Sequence, residues 1–400
     1  MKILVMGSYD PVDIANGMGS IAQNSMRCMV ELGHEVSGVF MVDDFTADGT
    51  ARHSVYRQSR PEFLNRLPVV RFRRRKDAAR DTLRALSRVF PSSPERRFQS
   101  EIRWRSGRSD LAVWFGTLWD PLSRAILAAC ECPVILHVND SITLVRRQRS
   151  ASLTGRIQTA VARYQESGAV RQLRAGRAAI VYVAETDRQA ALTMAKPGHS
   201  TCVSCLPLAV NTDVFAPATE PKRASACPVL LFTGHMGYTP NVLAATNLVH
   251  NILPLLPQAL EMRFVGRSPL PSVRELARHD RRVRVTGPVE DIVREYQLAD
   301  IFVAAMPFSY GMKTKVLEAM SCGLPVVASP EACSGFGSAP PGILVGNSPA
   351  EVAELITRLL ADPDLRQSLG SAGREHAVRH YGWTDRTRRL VSLFQTGAGL

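Results

Sequence analysis

The chain has 400 residues, of which 45% are apolar, 6% aromatic and 21% charged. That is too much chain for one ordinary core and enough apolar residue for two, and it excludes a disordered polymer. No apolar run approaches the ~20 residues that a membrane-spanning helix requires, and the net charge of +13 is unevenly placed.

The opening run Met1-Lys2-Ile3-Leu4-Val5-Met6-Gly7 is apolar, too short for the core of a signal peptide, and leads straight into a loop. It is expected to be a first strand, 3–6, of a cytoplasmic protein. Residues 20–32 carry Ile21, Met26, Met29, Val30 and Leu32 at helical spacing and end at Gly33, a natural C-terminal stop. Residues 35–41 are the next strand. Strand, helix, strand in that order implies a parallel sheet.

Residues 52–108 interrupt the pattern with 17 Lys and Arg against five acids. Loops and amphipathic helices are expected there, mobile in part. Residues 146–177 add eight Arg against Glu166 alone, which leaves the remainder of the chain net acidic. Such asymmetry suits an anionic partner, either a membrane surface or a lipid-phosphate acceptor. The basic stretch lacks the interleaved aromatics that stack nucleic-acid bases, so nucleic acid is not expected. A solvated basic face is the plain alternative.

Strands are expected at 111–115, 134–138, 179–184 and 201–205, with a long helix over 153–174. The eight cysteines read as buried thiols, and the Cys202-Val203-Ser204-Cys205 spacing reads as a strand rather than a metal or redox motif. Residues 217–228, rich in Pro, Ala and polar residues, are the expected linker between a first domain, 1–216, and a second, 229–383. In the second domain strands at 229–232, 261–265, 283–286, 301–305 and 325–328 alternate with helices at 241–253, 272–278, 292–298, 314–321 and 349–361, the last capped by Ser348. This is the pattern of a second doubly wound sheet. Ligands of such sheets sit at the C-terminal ends of the strands.

The most informative run is MPFSYGMKTKVLEAMSCGLPVVAS, residues 306–329. A buried strand ends at Pro307, a polar loop follows, and a helix starts near Thr314. Backbone N–H groups at a helix start bind anions. Lys315 in the first turn can add a charge-assisted contact to a phosphate, Gly311 permits close approach of the backbone, and Glu318 can accept from ribose hydroxyls. A solvated lysine and a glutamate at an ordinary helix start are the bland reading of the same residues.

The run Lys315-Val316-Leu317-Glu318-Ala319-Met320-Ser321-Cys322-Gly323-Leu324-Pro325 resembles the donor-site signature of family 4 glycosyltransferases, in particular their exopolysaccharide-type branch. The run 230–241, the turn Phe264-Val265-Gly266-Arg267, the run 206–215 and the region 374–394 around Tyr381-Gly382-Trp383 resemble further segments of that family in order. The resemblance implies the GT-B fold, with two Rossmann-like α/β domains facing across a cleft and a last helix, 384–400, returning to the first domain. It implies transfer of a sugar from a UDP- or GDP-linked donor to a glycan, lipid-linked or small-molecule acceptor, with retention and without a cofactor or metal.

By the same resemblance Lys315 contacts the diphosphate and Glu318 the ribose, both counted with His137 as catalytic. Arg267 is a second phosphate cation, and Val289 lies beside the base. Gly17, Gly19 and Gly234 approach the donor, as does the loop Tyr310-Gly311-Met312-Lys313-Thr314-Lys315-Val316. Met18, Asn139 and Asp140 serve the acceptor. Two departures bear on the donor sugar. Tyr310 stands where many members have a glutamate, and the interval from Pro307 to Glu318 is short. A Tyr-x-Glu at Tyr164 and Glu166 also matches the branch, and helix packing is its expected use. A nucleotide-sugar epimerase on the same fold and a non-catalytic polyanion-binding protein are the competing readings.

Overall fold

The computed structural model describes residues 1–7, 17–44, 62–75, 93–116, 126–139, 141, 153–171, 173, 177–194, 202–219, 227–308 and 311–395. The chain divides into two compact units. One is Met1–Leu206 with Arg386–Leu400, and the other is Pro207–Asp385.

The first unit is built on seven parallel strands: β1 (Lys2–Gly7), β2 (Glu35–Asp44), β3 (Val69–Arg75), β4 (Leu111–Gly116), β5 (Val134–Val138), β6 (Ala178–Tyr182) and β7 (Val203–Cys205). Their order is β3-β2-β1-β4-β5-β6-β7. All residues of β4, β5 and β6 are buried. That is why these strands read as unbroken apolar runs, with helices covering both faces of the sheet.

β3 corrects the expectation of loops and helices over 52–108. It pairs in parallel register with β2, Val69 opposite Gly38 and Val70 opposite Val39. Phe72 packs edge-on against Phe98, ring centres 5.9 Å apart. The arginines concealed the strand. They are tolerated because β3 is an edge strand, where charge also discourages pairing with other chains. Helix Ser93–Ser106, in the same stretch, buries Phe98 and Ile102.

The second unit carries β8 (Val229–Thr233), β9 (Glu261–Val265), β10 (Val283–Gly287), β11 (Ile301–Ala304), β12 (Val326–Ala328) and β13 (Ile343–Val345). All are parallel, in the order β10-β9-β8-β11-β12-β13. The order reverses between β8 and β11, so the connections of these two strands diverge and leave a crevice beyond their C-terminal ends. β13 was not foreseen. Its three residues follow Pro340-Pro341-Gly342, too short a run to show a period. Helix Thr239–Asn247 continues as a π-helical turn, Leu248–Ile252. Ser348 caps helix Pro349–Ala361 by accepting from the Glu351 N–H at 3.2 Å, as its sequence position implies.

The stretch ahead of the expected linker packs as part of the second unit. Arg374 Nη1 donates to the carbonyls of Thr212 (2.8 Å), Phe215 (3.0 Å) and Ser321 (2.8 Å). Ser321 Oγ donates to the Phe215 carbonyl at 2.6 Å, and the Val210 N–H to the Tyr381 carbonyl at 2.8 Å. Residues 220–226 of the linker lie outside the described residues. The boundary back into the first unit falls inside helix Trp383–Gln395.

Candidate functional site

The C-terminal ends of β8, β9 and β10 are joined through glycines. The Gly234 N–H donates to the Val265 carbonyl and the Gly266 N–H to the Gly287 carbonyl, both at 3.0 Å. Gly234 and Gly266 sit at φ +151° and +150°, where side chains are strained. They also touch. A Cβ on Gly266 would lie 1.7 Å from the Gly234 carbonyl oxygen. The strand ends are therefore drawn together with their backbones bare, as close approach of a ligand requires.

On the far side of the crevice, β11 leads through Met306–Phe308 and Gly311–Lys313 into helix Thr314–Ser321. No side chain caps its start at Lys313. The Val316 N–H donates to the Lys313 carbonyl at 3.1 Å, so the N–H groups ahead of it, together with the positive end of the helix dipole, are the ones available to an anion. Lys315 lies in that turn. Its Nζ donates to Asn241 Oδ1 at 2.8 Å and stands 3.9 Å from the centre of the Phe232 ring. Asn241 is itself fixed by donating to the His235 carbonyl at 3.0 Å. Burial, with the Lys313 charge nearby, pushes Lys315 down to about 7. Arg267 follows Gly266, and its carbonyl accepts from the Met236 N–H at 2.9 Å. Burial and the Arg267 charge together lower His235.

Glu318, one turn after Lys315, accepts from the Tyr296 hydroxyl at 2.7 Å through Oε2. Burial raises its pKa above the usual carboxylate range, and the Tyr296 hydrogen bond and the Lys315 charge pull it back in part. The expected phosphate cation and the expected ribose acid therefore share one helix face beside β8. A half-buried ammonium, a carboxylate and an uncapped helix start suit a phosphorylated, hydroxyl-bearing ligand.

Other expected donor contacts are distributed unevenly. Gly311 is buried at φ +56°. Thr314 is exposed at the helix start, Lys313 is half-buried, and Val289 is half-buried in the loop after β10. Val316 is wholly buried, so its side chain belongs to the core rather than to a ligand site. The Met312 side chain is likewise turned inward, where its sulfur accepts from the Leu208 N–H at 3.2 Å. Tyr310 lies outside the described residues.

In the first unit Gly17, Met18 and Gly19 form the start of helix Gly17–Glu31. Asp140 lies outside the described residues. Asn139 directly follows β5, and its Oδ1 is buried without a hydrogen bond. His137 is a correction. It was expected to face the donor sugar, but it is fully buried in β5. Its Nε2 meets the Arg386 guanidinium, and its ring centre is 5.1 Å from that of Phe115. Burial and the Arg386 charge hold it well below the usual histidine range, so it is neutral. It binds the last helix to the sheet and has no exposed atom with which to exchange a proton.

Glu166 turns out to organise the end of β5. It accepts from Ser141 Oγ at 3.0 Å and from the Tyr182 hydroxyl at 2.8 Å, and Asp187 accepts from the Ser141 N–H at 2.6 Å. The Tyr-x-Glu pattern thus splits, with Glu166 buried and Tyr164 72% exposed.

Sequence reasoning missed Phe232, Thr233, Tyr296 and Gly335 as parts of the site. Gly335 supports the loop before Lys315. A Cβ there would lie 2.5 Å from Met312 Cα and 2.8 Å from the Gly311 carbonyl oxygen. Gly335→Ala is expected to displace that loop and weaken nucleoside diphosphate binding roughly tenfold, about 1.4 kcal/mol. Calorimetry that finds wild-type affinity would remove Gly335 from the site.

Two doubly wound α/β units in one chain, the second with an anion-ready helix start at its switch point, define the GT-B class. Known proteins agree. Residues 227–362 match the family described as glycosyl transferases group 1. The chain is 29% identical over 216 residues to a GDP-mannose-dependent monoacylated alpha-(1-6)-phosphatidylinositol monomannoside mannosyltransferase of Corynebacterium glutamicum, covering 48% of this chain and 55% of that protein. It is 28% identical over 298 residues to a D-inositol 3-phosphate glycosyltransferase of Catenulispora acidiphila, covering 63% and 68%. The chain thus spans about half the length of the first of these relatives. Among solved structures, Anabaena HepE in complex with UDP and glucose superposes with a TM-score of 0.69 at 12% identity, over 99% of this chain and 100% of that one. The sucrose-phosphate synthase of Thermosynechococcus elongatus gives 0.70 at 16% identity, over 99% of each chain.

Proposed function

We propose that the protein is a glycosyltransferase that moves a sugar from a nucleoside diphosphate sugar to an acceptor hydroxyl. The observation that carries this reading is the placement of Lys315 and Glu318 together at the helix start beyond β11, beside the bare strand ends of β8 and β9. Lys315, the first-turn N–H groups and Arg267 stabilise the charge that develops on the leaving diphosphate. Glu318 accepts from the ribose, and the backbone around Val289 borders the base. Retention by front-side attack, with a donor phosphate oxygen taking the acceptor proton, is the mechanism proposed, and nothing in it requires His137.

The nucleotide is UDP or GDP. Both occur in the names of similar proteins, GDP-mannose among the relatives and UDP among the structures. Asn139 Oδ1 is the proposed acceptor contact in the first unit. A polyol bearing phosphate, free or on a lipid, fits the basic charge of that unit, and the names of the relatives point the same way. Trp104 is 54% exposed, with the guanidinium groups of Arg105 and Arg108 over its ring at 5.7 and 4.7 Å, and the same segment exposes Arg96, Arg97 and Arg103. On helix Leu153–Val170 exposed Arg156 and Arg163 stand beside Ile157 and Tyr164. Arginine beside exposed aromatic and aliphatic side chains suits the surface of an anionic bilayer. We therefore propose a peripheral protein on the cytoplasmic face. No helix among the described residues is long and apolar enough to cross a membrane.

The test is calorimetry with UDP and GDP, followed by donor hydrolysis and transfer assays with the preferred nucleotide's sugars. Micromolar binding of one nucleotide and release of that nucleotide from a sugar donor are expected. Absence of binding to either would sink the reading. Sedimentation with phosphatidylglycerol vesicles tests the membrane role, and binding indifferent to salt would contradict it.

A further inference from the structure

Tyr296 lies on helix Ile292–Leu298 and is fully buried. Its ring is clamped edge-on by Phe215, centres 5.9 Å apart, and by the tilted ring of Phe302 at 5.7 Å. The phenol oxygen is therefore a fixed point. It stands 2.7 Å from Glu318 Oε2 and 2.8 Å from Thr233 Oγ1, with the Lys315 carbonyl at a longer 3.4 Å. Proton counting orders this chain. An ionised carboxylate only accepts, and a phenol has one proton to give. The phenol must donate to Glu318, so the Thr233 hydroxyl donates to the phenol. One carboxylate oxygen is thereby engaged. Glu318 Oε1 makes no hydrogen bond among the described residues.

We propose that Tyr296, backed by Thr233, is a positioning residue that holds Glu318 Oε2 so that Oε1 alone is presented to the ribose hydroxyls of the nucleotide. The inference rests on the nucleotide-binding reading above and adds to it. Ribose recognition runs through a three-residue relay from the last residue of β8, not through a freely turning glutamate. Without the phenol, the carboxylate rotates and loses a partner that favours its charged form.

The experiment compares UDP and GDP with their 2′,3′-dideoxy counterparts by calorimetry, using the base that binds the wild-type chain more tightly. The wild-type protein is expected to prefer the ribose form roughly tenfold, the scale of a hydrogen bond to a charged group. Tyr296→Phe is expected to reduce that preference to about threefold or less while leaving affinity for the dideoxy form unchanged. Its ribose preference should also fade at a higher pH on acidification than in the wild type, since the carboxylate protonates more readily. Thr233→Val leaves the ring in place, guards against misfolding of the first variant, and is expected to give an intermediate preference. Retention of full preference in both variants would overturn the proposal. So would equal weakening of both nucleotide forms, which marks a merely structural defect. A wild-type protein that binds both forms equally removes the ribose role of Glu318, and the relay with it.

Discussion

Replacing Lys315 with Met is expected to reduce sugar transfer by roughly 10³-fold while the protein stays folded. Methionine is an unbranched side chain of similar length, so the substitution removes the ammonium, with its hydrogen bond to Asn241 and its place over the Phe232 ring, and leaves an apolar chain in the same space. That ammonium is well placed to act because it is half-desolvated, and a charge in such a site interacts strongly with a phosphate. The same desolvation costs the fold. An unfolded chain holds the lysine proton up to about pH 10.4, whereas the native protein releases it near 7. Between those values the unfolded state binds more protons, so this group's contribution to stability rises with pH across that window. Lys315→Met removes the burden, and its melting temperature at pH 7 is expected to equal or exceed that of the wild type.

Ligand binding has the opposite dependence. The protonated lysine is the form that binds a diphosphate, so wild-type affinity should fall as pH rises above about 7, by up to about tenfold per unit. Lys315→Met should lack that fall, and comparison of the two proteins cancels the ligand's own titration. Calorimetry from pH 6.5 to 8.5 checks this. Parallel pH profiles, or a variant that still turns over at the wild-type rate, would mean that Lys315 does not meet the phosphates.

Gly266→Ala is expected to be the most damaging small substitution at the site. The methyl group would enter the Gly234 carbonyl at 1.7 Å, and φ of +150° is strained for alanine in any case. Backbone meets backbone here, so no side chain can rotate away. The turn after β9 must move, which breaks the Gly266 N–H bond to the Gly287 carbonyl and separates the strand ends. A loss of about 4 kcal/mol is expected, together with loss of nucleotide binding. Urea denaturation and calorimetry measure both. A variant within 1 kcal/mol of the wild type, with intact binding, would show that the glycine contact does not shape the site.

Much of this was legible along the chain, because much of it is local. The continuous apolar runs of β1, β4, β8 and β11 name buried parallel strands, Gly33 marks a helix end, and Ser348 a helix start. Lys315 and Glu318 are three residues apart on a helix whose boundaries the sequence marks, so their shared face follows from helical geometry. β3 and β13 were not legible. One is disguised by the arginines of an edge strand, and the other is too short to show a period. His137 was misjudged because a histidine at a strand end looks the same whether the chain leaves it open or covers it. Arg386, 249 residues away, covers it.

The amino-acid order by itself determined the two doubly wound sheets, the basic character of the first unit and the helix start that offers N–H groups, a lysine and a glutamate. These depend on periodicity and on residue types within a few positions of one another. Only the tertiary structure decided what holds the two charges. Asn241 reaches Lys315 across 74 residues, Tyr296 reaches Glu318 across 22, and Thr233 reaches Tyr296 across 63. Such pairs exist only where parallel strands bring distant segments side by side, and no local pattern encodes them.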